Sequence, residues 1–260
     1  MITSRHNPRV QLVRKLQAQS KARRDAQAFV VEGVRLAEEA LQSGWEAQFV
    51  LFTGQLDGRG KAVVDGFVSS GVTAEQVSDG VYKTIGETET PQGILIVLAI
   101  HPLPLPPGPT FLLVLDGIRD PGNLGAILRT AAAAGVQGAL LAPGCVDAFA
   151  PKVVRAAMGA HFRLPIWHHD WAHISRVLSS PPVNRQVYLA DAQAGVPYTQ
   201  ADFRSPLALI IGGEATGAGI QAGAVAHARV HIPMPGGSES LNASVAASLL
   251  IFEVLRQRGM

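Results

Sequence analysis

Residues 111–129, FLLVLDGIRDPGNLGAILR, begin as an apolar run, turn at an Asp-Pro-Gly sequence and continue as a second apolar run. The first five residues predict a strand that is buried on both faces of a sheet. The Asp120-Pro121-Gly122 sequence predicts a tight turn. The second run predicts a helix from Leu124, with Asn123 as its N-cap. A strand, a turn and a helix in this order form the repeating unit of a parallel α/β sheet.

The same alternation continues to the end of the chain. Apolar segments predict strands at 111–115, 138–141, 186–190, 207–211 and 229–232, with a weaker strand at 163–166. Intervening and terminal segments predict helices at 124–134, 150–159, 170–179, 217–226 and 241–258. The C-terminal part is therefore predicted to be a parallel sheet with helices on both faces.

A proline-rich segment, HPLPLPPGPT at 101–110, interrupts this regular structure. Five prolines in ten residues exclude a helix or a central strand and favour an extended spacer. The preceding part also alternates helix and strand, which predicts a small α/β domain. We therefore expect a domain at 1–100, a linker at 101–110 and a second domain at 111–260.

Positive charge is concentrated at the start of the chain. The 22 Lys and Arg against 20 Asp and Glu give a net charge of +2, but residues 1–24 carry seven cations and no acid, which leaves 15 − 20 = −5 for the rest. Such a basic segment on an acidic body indicates contact with a polyanion, although a solvated surface is the alternative. The candidate residues for this polyanion contact are Arg5, Arg9, Arg14, Lys15, Arg23 and Arg24.

Several classes of protein are disfavoured by missing motifs. Cys145 is the single cysteine, so neither an intramolecular disulfide nor a cysteine-based zinc site can form. His169 and His173 have the spacing of a metal pair, but no acidic third ligand is evident beyond Asp170, and we expect no metal. The chain contains no Walker A, GxGxxG or GxSxG motif. No apolar run of membrane-spanning length and no secretory signal is found, so we expect a cytoplasmic, soluble protein.

Polar segments follow three of the predicted strands, at the edge where open α/β sheets bind ligands. After the first, Arg129 interrupts an apolar stretch and needs a partner or an anion. After the strand at 207–211, glycines permit close backbone approach and Glu214 lies near a predicted helix start. After the strand at 229–232, Ser240 and Asn242 precede a long apolar helix that needs only one cap. Ordinary turns, caps and a solvent-reaching arginine remain the alternative interpretation of each segment.

Three sequences in these segments, DPGNLGAILRTA, IGGEATGAG and IPMPGGSESLNASVAASL, together resemble the SpoU (TrmH-type) branch of the SPOUT superfamily of RNA 2′-O-ribose methyltransferases. The front of the chain resembles the L30e-like RNA-binding domain that often precedes that catalytic domain. The resemblance covers nearly the whole chain. Small departures occur at Ala133, Ala215 and Ala243, where an acid, a glycine and a valine are common.

The resemblance implies a fold, a cofactor and an assembly. It implies a C-terminal parallel-sheet domain with a deep trefoil knot, a small L30e-like α/β domain before it, and a homodimer with the active site at the subunit interface. It implies that S-adenosylmethionine is held by Gly212, Ile232 and Leu241. The catalytic and RNA-facing residues that it implies are Asn123, Arg129, Glu214, Ser240 and Asn242.

The resemblance also implies the reaction, which is 2′-O-methylation of RNA, with 23S rRNA favoured over tRNA. A catalytically silent RNA-binding factor of the same fold is the alternative from another functional class. Arg129 has two possible roles. It could remove the 2′-hydroxyl proton, although an arginine in water stays protonated far above neutral pH. Alternatively, it could bind a phosphate and stabilise developing negative charge.

Overall fold

The chain forms two compact units in a computed structural model that describes residues 1–88, 90–181, 183–214 and 217–259. One unit comprises Met1–His101 and Phe149–Phe162, and the other comprises Pro102–Ala148 and Arg163–Met260. The chain therefore passes from the second unit to the first and back again. Residues 149–162 belong to the first unit, whereas the sequence patterns predicted one continuous domain over 111–260.

The first unit is built on a four-stranded mixed sheet with the order β1-β4-β2-β3 in the described residues. Among the described strand pairs of this sheet, β2–β3 is parallel, whereas β1–β4 and β2–β4 are antiparallel. Its strands are β1 (Ala28–Glu32), β2 (Ala47–Phe52), β3 (Thr73–Gln76) and β4 (Ile94–Ala99). Its helices are α1 (Pro8–Ala18), α2 (Ser20–Ala26), α3 (Val34–Gln42), α4 (Gly58–Ser69), α5 (Asp79–Tyr82) and α7 (Pro151–Ala157), the last in the returning segment.

Alternating residues of one strand supply the two cores of this unit. Phe29 belongs to the core that α3, α4 and α7 cover, whereas Val30 belongs to the core that α1 covers. Successive side chains of a strand point to opposite faces, so a strand that is apolar throughout can be buried on both. Phe149 also packs here, with its ring centroid 5.0 Å from that of Phe29. This apolar contact explains why the returning segment belongs to the first unit.

The second unit is built on a seven-stranded sheet whose neighbouring strands are all parallel in the described residues. The strand order is β7-β6-β5-β10-β8-β11-β9. The strands are β5 (Phe111–Asp116), β6 (Gly138–Leu141), β7 (Ile166–His168), β8 (Gln186–Ala190), β9 (Val196–Pro197), β10 (Leu207–Gly212) and β11 (Ala228–His231). The α-helices are α6 (Pro121–Ala133), α8 (Trp171–Leu178), α9 (Ile220–Val225) and α10 (Ala243–Gln257). The predicted parallel α/β sheet is confirmed.

The expectation that Asn123 caps the first helix of this unit is wrong. Asp120 is the N-cap, and its carboxylate Oδ1 accepts from the backbone N–H of Asn123 at 2.8 Å. Pro121 occupies the first helical position, where its missing N–H costs nothing. The Asn123 side chain is consequently available for contacts outside its own helix.

The proline-rich segment, which was expected to be an extended spacer, is hydrogen-bonded to residues of the second unit. Trp167 Nε1 donates to the carbonyl of Leu103 at 2.9 Å. Arg185, which is 3% exposed, donates to the carbonyl of Pro109 at 2.8 Å. None of these contacts could be predicted from the segment's composition, because they depend on residues more than 60 positions away.

Short elements were missed by the sequence patterns. The strand β3 has the sequence TAEQ and β9 has two residues, so neither shows an apolar period. The helix expected at 217–226 is limited to 220–225, because the glycines before it form a loop. No helix in the described residues is long and apolar enough to span a membrane.

Candidate active site

A cavity of about 910 Å³ lies at the carboxyl edge of the parallel sheet. It is lined by the ends of β8, β10 and β11, the loop before α9 and the first turns of α10. Five of the residues singled out in the sequence line it: Gly212, Glu214, Ile232, Ser240 and Leu241. The sheet thus places a ligand-sized cavity where open α/β sheets bind their ligands.

Three side chains from three distant segments form a hydrogen-bonded relay beside this cavity. Asn242 Nδ2 donates to Asn123 Oδ1 at 3.0 Å, and Asn123 Nδ2 donates to Glu214 Oε1. These residues are separated by 91 and 119 positions along the chain. The fold therefore joins one polar residue from each of the three motifs.

The direction of this relay is fixed by the helix at one end and the carboxylate at the other. Asn242 is the N-cap of α10, and its Oδ1 accepts from the backbone N–H groups of Ser244 at 2.9 Å and Val245 at 3.3 Å. Backbone N–H groups can only donate, so the amide NH₂ of Asn242 must face Asn123. An ionised carboxylate can only accept, so the NH₂ of Asn123 must face Glu214.

The glycines after β10 permit a backbone approach that a side chain would block. A Cβ atom on Gly212 would collide with the backbone of Gly217 and Ala218, and a Cβ on Gly213 would collide with the carbonyl of Gly117. Gly217 has a φ of +65°, in the left-handed region. The loop can therefore present its backbone to the cavity at close range, which fits a ligand held through main-chain contacts. Ala215 and Thr216 lie outside the described residues.

Asp116 is a residue of this site that the sequence patterns missed. It ends β5, is 7% exposed and pairs in register with Gly212. Its Oδ2 accepts from the backbone N–H of Gly219 at 2.7 Å. The available signal was an acid at the carboxyl end of an otherwise apolar strand, since a buried carboxylate needs hydrogen-bond donors.

Arg129 and Ser240 stand apart from the relay. Arg129 is exposed on α6, does not line the cavity and has no hydrogen bond or ion pair within the described chain. Ser240 is exposed on the cavity-lining loop. Both side chains are therefore accessible to a molecule that approaches the cavity from outside.

The basic N-terminal residues differ in their surroundings. Arg23 is 5% exposed and donates to the carbonyl of Leu16 at 2.5 Å. Arg9 lies 3.2 Å from the Glu75 carboxylate, with its guanidinium 5.1 Å from the Phe49 ring centroid. The fully exposed candidates are Arg5, Arg14, Lys15 and Arg24. Burial thus makes Arg23 a structural residue, which charge counting alone could not reveal.

The other candidate groups show no catalytic arrangement. The rings of His169 and His173 stack with centroids 3.8 Å apart. No group of three or more His, Cys, Asp and Glu side chains that could hold a metal occurs among the described residues. The Cys145 thiol donates to the carbonyl of Leu115 at 3.2 Å, and burial raises its pKa.

A sheet that is parallel throughout the described residues, a cavity partly lined by glycines and an amide–carboxylate relay beside it are features of an α/β enzyme domain. The SpoU rRNA Methylase family matches residues 110–252, and the MRM3-like substrate binding domain matches residues 7–96. The chain belongs to the SpoU rRNA methylase family. The resemblance stated from the sequence is confirmed, and with it the class of RNA methyltransferase that uses S-adenosylmethionine.

Relatives match both units of the chain. The 23S rRNA (guanosine(2553)-2′-O)-methyltransferase RlmP of Bacillus subtilis is 32% identical over 255 residues, which cover 97% of this chain and 98% of the relative. The crystal structure of an AdoMet-bound rRNA methyltransferase from Sinorhizobium meliloti is 32% identical, with a TM-score of 0.87 over 98% of this chain and 97% of that one. A structure described as addressing 2-OH methylation of C/U34 on tRNA is 29% identical with a TM-score of 0.50, and covers 56% of this chain and 95% of that one.

Two substitutions of Asn242 separate its role as a helix cap from its role in the relay. Asn242→Ala removes both and should lower the free energy of unfolding by about 0.5–2 kcal/mol. Asn242→Asp keeps an oxygen that caps α10. It replaces the Nδ2 donor with a carboxylate oxygen, so that two hydrogen-bond acceptors face each other at Asn123 Oδ1. Thermal denaturation should therefore show near-native stability for Asn242→Asp, while methyl transfer is lost in both variants. Full activity in Asn242→Asp would contradict the relay.

Proposed function

We propose that this protein transfers a methyl group from S-adenosylmethionine to a ribose 2′-hydroxyl of 23S rRNA. The observation that carries the proposal is the Asn242–Asn123–Glu214 relay beside a glycine-lined cavity. The rRNA substrate is favoured because the rRNA methyltransferase relatives from Bacillus and Sinorhizobium match at least 97% of this chain. The structure that concerns tRNA covers 56% of it.

The residues at the cavity fit the proposed cofactor. Gly212, Ile232 and Leu241 all line it, and Gly212 leaves no space for a side chain. Its volume of about 910 Å³ falls within the range of small-molecule sites, about 300–1,000 Å³. When bound, S-adenosylmethionine supplies a methyl group on a sulfonium, which is already a strong electrophile. The protein's own tasks are then to align the ribose hydroxyl and to accept its proton.

We assign the proton-accepting role to Glu214 and an electrostatic role to Arg129. One Glu214 oxygen accepts from Asn123, and the other can accept the hydrogen of a ribose 2′-hydroxyl at the cavity. A guanidinium carries N–H donors and no acceptor, so it is poorly suited to take up a proton at neutral pH. The exposed Arg129 is suited instead to bind the phosphate next to the target ribose.

Replacing Glu214 with Gln tests the proton-accepting role. The amide oxygen of the new side chain can still accept from Asn123, but the group can no longer take up a proton. We expect kcat to fall by about 10²–10⁴-fold while S-adenosylmethionine affinity changes little. Glu239→Gln alters another carboxylate of the same cavity without touching the relay, and should lose far less activity. Equal losses in the two variants would argue against a special role for Glu214.

The exposed part of the basic N-terminal segment is proposed to bind the RNA backbone. Arg14, Lys15 and Arg24 are exposed cations within residues 1–24. Cations that contact phosphates release counterions from the nucleic acid, so binding should weaken steeply as salt increases.

Arg23→Met and Arg24→Met provide a matched pair for this proposal. Arg24→Met should weaken RNA binding and reduce the slope of log affinity against log salt by about 0.7–0.9, with unchanged stability. Arg23→Met should lower the free energy of unfolding by about 1–3 kcal/mol, because a buried carbonyl loses its donor, and leave the salt slope unchanged. Fluorescence anisotropy with rRNA fragments and thermal denaturation measure both effects. A salt slope that responds to Arg23 but not to Arg24 would overturn this assignment.

The protein is further proposed to be a homodimer with a knotted C-terminal domain. Val245, Leu249 and Phe252 are 47%, 40% and 52% exposed and recur along one side of α10. That helix packs on α6, which carries Arg129, with Thr130 Oγ1 and Ser248 Oγ 3.2 Å apart. A second copy that covers this apolar stripe would bring its own Arg129 to the interface. We also propose a cytoplasmic location, as for a protein that meets bacterial-type 23S rRNA.

Phe252→Asp tests this assembly. A charge in the apolar stripe should disfavour association, so sedimentation at micromolar concentration should show monomers for Phe252→Asp and dimers for the wild-type protein. Val68→Asp, which alters a similarly exposed residue of the first unit, is the control and should remain dimeric. A monomeric wild-type protein would reject the proposed dimer.

Labelled S-adenosylmethionine and RNA from a strain that lacks the gene test the function as a whole. Methylation of one ribose in large-subunit rRNA, mapped by nuclease digestion and mass spectrometry, is the expected result. Label in tRNA would reassign the substrate. Cofactor binding without label in any RNA or in ribosomal assembly intermediates would favour a silent RNA-binding factor.

A further inference from the structure

We propose that Asp116 is a positioning residue that fixes the described ends of the loop between β10 and α9, residues 213–214 and 217–219, and through them the Glu214 carboxylate and the cofactor-facing backbone. The inference rests on the proposed function, because that function makes this loop part of the cofactor and ribose site. Its physical basis is the buried Asp116 carboxylate, which accepts a hydrogen bond from the backbone N–H of Gly219 at the end of the loop.

The placement of Asp116 is set by the sheet. It is the last residue of β5 and lies directly beside Gly212 of β10, the point where the loop begins. Only 7% of Asp116 is exposed, and its Oδ2 accepts from the N–H of Gly219 at 2.7 Å. Gly219 is the residue that precedes α9, so this carboxylate spans the beginning and the end of the loop.

Two further contacts close the loop between these ends. The N–H of Gly217 donates to the carbonyl of Gly213 at 3.0 Å. Gly213 in turn lies so close to the carbonyl of Gly117 that a Cβ atom could not be accommodated. Glu214 follows Gly213 in the chain. The path of the backbone at Gly213 therefore determines where the Glu214 carboxylate lies.

A carboxylate is well suited to this task. Hydrogen bonds to a charged acceptor are stronger than those between neutral groups, and a buried carboxylate is costly unless it is hydrogen-bonded. An asparagine would keep an oxygen acceptor of similar shape with a weaker bond. An alanine would leave the Gly219 N–H without that partner and release the loop from β5.

Asp116→Ala, Asp116→Asn and a control, Asp202→Ala, test the proposal in the full-length protein. Asp202 is an exposed carboxylate of the same unit that accepts from the backbone N–H of Arg204 at 3.1 Å, away from the cavity. Three quantities are measured for each variant. They are amide hydrogen exchange over 212–220 in the ligand-free protein, S-adenosylmethionine affinity by calorimetry, and kcat with saturating RNA. Thermal denaturation reports whether each variant is folded.

We expect Asp116→Ala to exchange faster over 212–220 and to bind S-adenosylmethionine about 10-fold or more weakly. Its exchange in β6 and α8 should match that of the wild-type protein. Asp116→Asn should recover most of the protection and affinity, and Asp202→Ala should behave as the wild type. Recovery by asparagine distinguishes loop positioning from a need for negative charge in the cavity.

Unchanged exchange at 212–220 in a folded Asp116→Ala protein would overturn the proposal. Faster exchange throughout the second unit would equally reject it, because Asp116 would then support the sheet rather than the loop. Neither exchange result depends on RNA methylation. A wild-type protein that methylates no RNA would therefore refute the proposed function while the exchange data still decide the role of Asp116.

Discussion

The side-chain amide of Asn242 is the interaction on which the site depends, because its two ends serve two structures. Its oxygen satisfies backbone N–H groups at the start of α10, and its nitrogen begins the relay to Asn123 and Glu214. The helix N-terminus thus orients an amide that is not free to rotate without losing a cap. The geometry of the relay is in this way tied to the secondary structure that holds it.

Close backbone packing is the second constraint. A side chain on Gly213 would collide with the carbonyl of Gly117, directly after β5, and one on Gly212 would collide with the backbone of Gly217 and Ala218 in its own loop. Asp116 adds a charged link between the end of β5 and this loop, through the N–H of Gly219. A loop rich in glycine has few side-chain contacts, so backbone packing and hydrogen bonds such as these hold it in place.

Residue patterns predicted the elements well where burial on both faces imposed an apolar run. The strands β5, β6, β8 and β10 were predicted within one residue of their observed limits. The patterns failed where a short polar residue had two possible partners. Asp120 and Asn123 are both good caps, and only the backbone geometry assigned the cap to Asp120 and the relay to Asn123. Arg23 and Arg24 are identical neighbours in sequence, yet helix orientation buries one and exposes the other.

Residue patterns alone established the parallel α/β class, the three polar segments at strand ends and the family that they resemble, because side-chain periodicity and turn chemistry are local properties. The three-dimensional arrangement was needed to show that Asn242, Asn123 and Glu214 form one directed relay, that Asp116 accepts from the N–H of Gly219, and that residues 149–162 pack in the first unit. The relay and the Asp116 hydrogen bond depend on contacts between residues about 90 to 120 positions apart. Such contacts arise from strand order, which brings distant segments to one edge of the sheet and which no local pattern encodes.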